Sequence, residues 1–258
     1  MVDIDPDWWK RLFDETYLIT DARTVCDEDL TSREVDFLEE VLNIDRSWPI
    51  LDLCGGQGRH SLELSRRGFQ DVTVVDYSEF LINHGRKRAK EEGLTTLFVQ
   101  NDARDTGLPS QRFRIVLVMA SSLGYLADEV DDDKILCEAF RLLIPKGSLL
   151  LDLPYREFVL KNITPLSWHE ADDDIVVCRE RSPDKDTIFC REMVISKSKG
   201  LIRDETYCTR LFSQEKITKM LLSAGFSSVD IQGDYVSHDR RGDYGCMNSR
   251  MIVIARKD

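Results

Sequence analysis

Between Ile50 and His60 the chain reads Ile-Leu-Asp-Leu-Cys-Gly-Gly-Gln-Gly-Arg-His, a short apolar run that passes through a glycine-rich turn into a helical pattern. Glycine takes left-handed backbone angles without strain, and its bare N–H groups let a ligand approach the main chain at the mouth of the helix that follows. A strand that turns this tightly into a helix is the repeating unit of layered α/β folds.

The same rhythm continues downstream. Short apolar runs at Ile50 to Leu53, Val72 to Val75, Leu97 to Val99, Ile115 to Met119 and Leu149 to Leu153 read as buried parallel strands. Helical patterns at Arg59 to Arg67, Ser78 to Glu92 and Asp132 to Leu143 lie between them. A helix from Ser213 to Ala224, stopped at Gly225, and two closing strands, Val229 to Ile231 and Met251 to Ala255, complete the pattern. The expectation is an α/β fold with a doubly wound, seven-stranded, mostly parallel sheet.

Two segments stand outside that alternation. The amino-terminal stretch predicts an amphipathic helix from Asp5-Pro6 with Trp8, Trp9, Leu12, Phe13 and Tyr17 on its apolar face, then a second helix opened by a Thr31/Glu34 capping box. After the fifth strand, Asp174 to Phe212 carries four apolar runs with turns expected at Ser182-Pro183-Asp184 and Lys199-Gly200, an antiparallel β insertion. The chain thus divides into a helical lid (1–48), a core (49–154 and 213–258) and the insertion (155–212), which serves as a substrate cap or as a homodimer face.

Composition narrows the function. A net charge of −12 repels a phosphate backbone, so nucleic acid is a poor partner. No run approaches the roughly 20 apolar residues of a membrane span. Asp3, Asp5 and Asp7 stand where a secretory signal carries basic residues, which predicts a cytoplasmic protein. The seven cysteines (Cys26, Cys54, Cys137, Cys178, Cys190, Cys208 and Cys246) contain no Cys-x-x-Cys pair, and His60, His84, His169 and His238 show no ligand spacing, so no metal is expected.

The turn has a more specific reading. Leu51 to Gly58 resembles the first motif of class I S-adenosylmethionine-dependent methyltransferases, Asp-x-Gly-x-Gly-x-Gly, with Asp52, Gly56 and Gly58 in place and Cys54 at the first glycine. Val74-Val75-Asp76-Tyr77-Ser78 ends the second strand on an acid, and Asn101-Asp102-Ala103-Arg104 follows the third. Ile115 to Leu126 resembles the fourth-strand motif of the small-molecule members, including amino-sugar N-methyltransferases and glycine N-methyltransferase.

The resemblance implies a Rossmann-like fold, S-adenosyl-L-methionine as cofactor and methyl transfer to a nitrogen or oxygen of a small molecule. It implies that Gly56 and Gly58 approach the methionyl portion, that Asp76 binds the ribose and Asp102 with Ala103 the adenine, that Asp52, Cys54, Gly55, Tyr77 and Arg104 are further cofactor contacts, and that Met119 stands in the motif on the methyl-transfer side. Tyr17 and Arg23 of the lid are expected to contact cofactor or substrate. Should the acceptor need a base, Tyr125, Tyr155, His169 and Glu170 stand near the switch edge. Two rival readings share the glycine turn: a non-catalytic S-adenosylmethionine-binding regulator, and a nicotinamide-dependent reductase, which Ser61 at the third glycine of Gly-x-Gly-x-x-Gly disfavours.

Overall fold

The computed structural model describes residues 4–236 and 249–258. Asp3, His238 and Cys246 lie outside the described residues.

The strands, in chain order, are β1 (Ile50–Leu53), β2 (Val72–Asp76), β3 (Leu97–Gln100), β4 (Phe113–Val118), β5 (Leu143–Pro154), β6 (Leu166–Glu170), β7 (Ile175–Asp184), β8 (Thr187–Ser196), β9 (Gly200–Arg210), β10 (Ser228–Tyr235) and β11 (Arg250–Arg256). The helices are α1 (Trp9–Leu12), α2 (Glu15–Thr20), α3 (Ala22–Val25), α4 (Glu28–Leu42), α5 (Arg59–Arg66), α6 (Glu79–Glu92), α7 (Glu129–Leu142), α8 (Arg156–Asn162) and α9 (Gln214–Ala224).

Seven strands form one sheet in the order β10-β11-β5-β4-β1-β2-β3. The strands from β5 to β3 run parallel, while β11 pairs antiparallel with both β5 and β10. The strand order reverses beside β1, so β1 and β4 diverge at their carboxyl ends and open a crevice, the place where such sheets bind ligands. Apolar side chains bury both faces: Leu51, Leu53, Val116 and Leu151 pack on the α7–α9 side, and Ile50, Leu117 and Leu150 on the α4 side.

Local chemistry sets the helix ends. The Ser78 hydroxyl accepts the Leu81 N–H at 3.1 Å and opens α6, which ends at Gly93 with φ +68°. Midway along α6, Gly85 is needed for contact: a Cβ there would stand 2.3 Å from Phe98 Cε1 and 2.6 Å from the Gln57 carbonyl oxygen. Gly85→Ala is therefore expected to destabilise the protein by about 1–3 kcal/mol, the usual cost of overpacking; an unchanged denaturation midpoint would show that Phe98 can yield.

The four strands β6-β7-β8-β9 form a separate antiparallel sheet inserted after β5. Its inner face carries Val177, Arg179, Cys190, Glu192, Val194, Arg203 and Tyr207, matching the alternating burial along β8. Its outer face leaves Leu166 and Trp168 about 70% exposed.

Local expectations differ from the structure at several points. The leading helix is broken at Phe13, because the Asp14 carboxylate takes the N–H groups of Thr16 and Tyr17 and starts a new helix there. The second helix starts at Glu28 under an Asp27 cap, three residues before the expected box. Thr31 and Glu34 are buried and turn inward to Arg59, so their side chains are used for tertiary bonds. The first hairpin turns at Lys185-Asp186, with Lys185 at φ +53°, and Pro183 stays in β7 opposite Ile188. Both α8 and β6 lie in stretches where the sequence pattern gives no periodic signal. Among the described residues no helix is long and apolar enough to cross a membrane.

Candidate active site

The cleft begins at the carboxyl end of β1. Cys54 stands at φ +60° and Gly56 at φ +58°, so the cysteine itself adopts the left-handed turn conformation. The loop closes through Gly58 N–H to the Gly55 carbonyl at 2.8 Å, and Gly55 N–H donates to the Val75 carbonyl at 3.1 Å. Gly55 has no room for a side chain: a Cβ would meet the Asp52 carboxyl carbon at 2.6 Å. Burial pushes the Cys54 thiol well up, which keeps it protonated and unsuited to nucleophilic attack.

Asp76, at the end of β2, fixes the loop from the side. Its Oδ2 accepts the Gly56 N–H and its Oδ1 the Ser78 N–H, each at 2.8 Å. Burial raises its carboxyl above the usual range even so. Asp52 is fully buried; its Oδ2 takes the Ser61 hydroxyl at 2.8 Å, while among the described residues its Oδ1 takes no hydrogen bond. Burial pushes this carboxyl up to about 6.

After β3, Asp102 receives the Arg104 guanidinium, with Nη2 at 2.6 Å. Burial pulls the Asp102 carboxyl upward, but the guanidinium and backbone N–H of Arg104 outweigh it and hold it low. Arg104 also bonds Asp131 at 2.7 Å and lies over the Trp9 ring. Trp9 in turn meets Tyr77 edge-on, with centroids 4.6 Å apart. The amino-terminal segment is tied down nearby, where the Ser78 hydroxyl donates to the Phe13 carbonyl at 2.6 Å.

The loop after β4 makes the opposite wall. Ala120 and Ser121 stand at φ +54° and +64°, a costly conformation for residues with a Cβ. The Asp152 carboxylate accepts the Ala120 N–H at 3.0 Å, and the Asp152 carbonyl accepts the Ser121 N–H at 2.9 Å. Gly124 lets β9 close on this loop: its carbonyl accepts the Arg210 N–H at 2.8 Å, and a Cβ would meet the Arg210 carbonyl at 2.7 Å.

The resulting cleft encloses about 1100 Å³ including its mouth to solvent. Of the residues singled out from sequence, Tyr17, Asp52, Cys54, Gly55, Gly56, Asp76, Tyr77, Asp102, Ala103, Met119 and Tyr125 lie in its wall. Gly58 supports the loop from behind, facing Phe98 and Val74. Arg104 stands behind Asp102, and Arg23 is exposed on α3. Tyr155 caps α8 beside Gly233, and half-buried His169 lies on β6 beyond the cleft wall. Exposed Glu170 bonds Lys197 at 2.7 Å. Gln57, Ser78, Ala120 and Ser122 line the same cleft but were not singled out from sequence. Each falls within a motif the sequence shows, the glycine turn, the second-strand end or the fourth-strand motif, and Ser78 is an N-cap as well.

A second cavity of about 780 Å³, again including open space, adjoins the first and shares with it Phe13, Tyr17, Val25, Arg59, Ala120 and Tyr125. Its inner end is charged. Arg59 and Arg250 both bind the buried Glu34, at 2.5 and 2.6 Å, and Arg250 also binds Asp152 at 2.6 Å. His60 Nε2 lies 2.9 Å from Glu34.

Burial, backed by the neighbouring Arg59, drives the His60 pKa from 6.5 down to about 4. The folded state then resists a proton that the unfolded chain takes up, so His60 contributes stability above pH 6.5 that is lost as pH falls toward 4. Asp52 acts in the opposite sense over part of that window. Relative to the parent, His60→Gln should therefore lose less stability between those pH values in urea unfolding; parallel pH curves would refute the role given to His60.

Fold and cleft together define a class: a doubly wound α/β protein whose glycine turn, strand-end acids and crevice are arranged for a nucleoside-bearing ligand. Comparison with known proteins carries this further. Residues 50–147 match the family described as Methyltransferase domain. YqeM of Bacillus subtilis (strain 168), a methyltransferase by name, is 30% identical over 192 residues, covering 72% of this chain and 76% of that protein. The glycine/sarcosine N-methyltransferase of Aphanothece halophytica is 30% identical over 235 residues, covering 88% of this chain and 83% of that protein. A solved S-adenosylmethionine-dependent methyltransferase from Clostridium acetobutylicum ATCC 824 shares the fold with a TM-score of 0.73 at 16% identity, covering 94% of this chain and 96% of that one. The chain belongs to the S-adenosylmethionine-dependent methyltransferases.

The residues present fit that cofactor. Gly55 leaves the Asp52 carboxylate uncovered, since a Cβ there would meet it, and among the described residues buried Asp52 Oδ1 has no donor. When bound, the cofactor supplies a methyl group on a positively charged sulfur. The protein's part is to orient the acceptor and exclude water, a contribution that reaches about 7–11 kcal/mol.

Proposed function

We propose that this methyltransferase acts on a nitrogen or oxygen of a small molecule, with the first cleft taking the cofactor and the second cavity the acceptor. The observation that carries this reading is the second cavity itself, which lies directly behind a shared partition of Phe13, Tyr17 and Tyr125. A chamber between the amino-terminal segment and the inserted sheet suits a small acceptor, and the chain's acidic balance disfavours nucleic acid.

Within the first cleft, Asp76 and Tyr77 are assigned to the ribose and Asp102 with Ala103 to the adenine, Arg104 holding Asp102 in place. Gly55, Gly56 and Asp52 are assigned to the methionyl end, with Cys54 and Met119 toward the methyl. The segment carrying Trp8, Trp9, Phe13 and Tyr17 is the lid, and the inserted sheet is the acceptor cap. The exposed outer face of that sheet, with Trp168 and Leu166, is where a homodimer would form.

The test is calorimetric titration with S-adenosylmethionine, then transfer of labelled methyl groups to a panel of small amines, alcohols and phenols. Chamber occupancy is read with Tyr207→Ala, which is expected to raise the acceptor KM more than tenfold while leaving cofactor affinity within twofold. Equal KM values in parent and variant would move the acceptor elsewhere.

A further inference from the structure

The second cavity has a chemical character of its own. Its wall includes the rings of Trp8, Phe13, Tyr17, Tyr125 and Tyr207, with Trp8 5.6 Å from both Tyr125 and Tyr207. Three carboxylates, Asp21, Glu34 and Glu192, share this wall with two guanidiniums, Arg59 and Arg250. Glu34 and Asp152 already hold both guanidiniums, so the inner end is neutralised internally.

Glu192, on the inner face of β8, is different. It is 2% exposed, and its Oε2 accepts Arg179 Nε at 2.8 Å. Its Oε1 is ion-paired with Arg203 Nη1 at 3.6 Å, beyond hydrogen-bond reach, and among the described residues that guanidinium nitrogen is buried without a hydrogen-bond partner. One carboxylate oxygen of the chamber wall is thus held in place with no hydrogen-bond donor among the described residues. Aromatic faces attract cations, and a desolvated carboxylate binds an ammonium group strongly. A neutral hydroxyl gains little from either.

We propose that the chamber selects an amine: a small primary or secondary amine binds as its ammonium ion against Glu192 and the aromatic rings, and Glu192 accepts the proton that must leave before nitrogen can be methylated. This rests on the chamber being the acceptor site. In that step an N–H bond breaks, its electron pair stays on nitrogen, and the proton forms an O–H bond on Glu192. The freed lone pair makes the N–C bond while the S–C bond breaks, its electron pair passing to sulfur. The product is an N-methylammonium ion and a thioether.

Three other titratable groups of the chamber, Tyr17, Tyr207 and Glu34, are poorer proton acceptors. Burial pushes Tyr17 and Tyr207 well above the usual phenol range. Glu34, despite burial, is held well down by Arg59, Arg250 and His60. Glu192 is raised by burial against the pull of Arg179. The charged and titratable groups facing it are Asp21 from the amino-terminal segment, Arg179 from β7, Arg203, Tyr207 and, directly opposite in register and bonded to Arg11, Glu205 from β9, and Cys190 on its own strand.

The experiment pairs amines with hydroxyl counterparts of the same skeleton: glycine and sarcosine with glycolate, ethanolamine with ethylene glycol, and glucosamine with glucose. Labelled methyl transfer from S-adenosylmethionine is measured with the parent, Glu192→Gln and Glu192→Asp, each first checked for folding by circular dichroism. The proposal expects turnover of amines alone. In Glu192→Gln the amine KM should rise at least tenfold, the acidic limb of the kcat/KM profile that belongs to Glu192 should vanish, and cofactor affinity should stay within twofold. Glu192→Asp, which keeps the charge, should restore the limb and part of the affinity.

Methylation of the hydroxyl partners, with amines inert, overturns the amine assignment but leaves the chamber standing. An unchanged amine KM in both Glu192 variants overturns the role of Glu192, and if Tyr207→Ala is also unchanged the chamber itself falls. The absence of both turnover and saturable calorimetric binding for every amine tested overturns the proposal outright. If Glu192→Gln fails to fold, Glu192→Asp decides alone, through its KM.

Discussion

Glu34→Ala is expected to lower stability by about 3–5 kcal/mol, the cost of leaving buried charge without its partner. Arg59 and Arg250 approach the same carboxylate from α5 and β11, and its side chain is 2% exposed. Removing it takes the carboxylate from Arg59, which keeps the Thr31 hydroxyl, and one of two carboxylates from Arg250, which keeps Asp152. For a chain of this size a loss of that order lowers the melting temperature by about 2–4 °C per kcal/mol, and thermal unfolding followed by circular dichroism reads it directly. Glu34→Gln keeps the shape but not the charge and should fall between parent and alanine. A loss below about 1 kcal/mol, the range of exposed ion pairs, would show that the network is wet.

Asp76→Ala should weaken S-adenosylmethionine binding more than tenfold, which corresponds to about 1.4 kcal/mol. The carboxylate is doubly placed: it anchors the N–H groups of Gly56 and Ser78, and it faces the cleft where the ribose is assigned. Its loss removes ligand contacts and lets the glycine loop relax together. Calorimetry on the folded variant checks the effect, with urea unfolding beside it to separate affinity from stability. Unchanged affinity would take Asp76 out of the binding site.

The sheet was legible in the sequence because its strands are short apolar runs and the crossovers after β1, β2 and β4 each carry a helical period. Gly55, Gly56, Asp76 and Asp102 could be read because a glycine turn and strand-end acids have fixed places in such a sheet, and position in the chain carries position in space. The amino-terminal segment was less legible. Trp8, Trp9, Phe13 and Tyr17 fit one helical stripe, but Asp14 caps a new helix and the rings separate to different walls. Thr31 and Glu34 matched a capping box while their partners, Arg59 and Arg250, lay far away in sequence. Glu192 gave no signal: an acid in an alternating strand reads as solvent-facing until the neighbouring layer is known.

Trp8 and Trp9 are consecutive residues, yet Trp8 packs on Tyr207 in the second cavity and Trp9 on Tyr77 in the first cleft. One peptide bond therefore joins the covers of two compartments. If this segment is the lid proposed above, lifting either ring would draw the other from its seat, so the two rooms would share one door. Discharge of the spent thioether and loading of a fresh acceptor would then be parts of one movement, and a strap that opens slowly would set the pace of the whole cycle, whatever the speed of the bond exchange within.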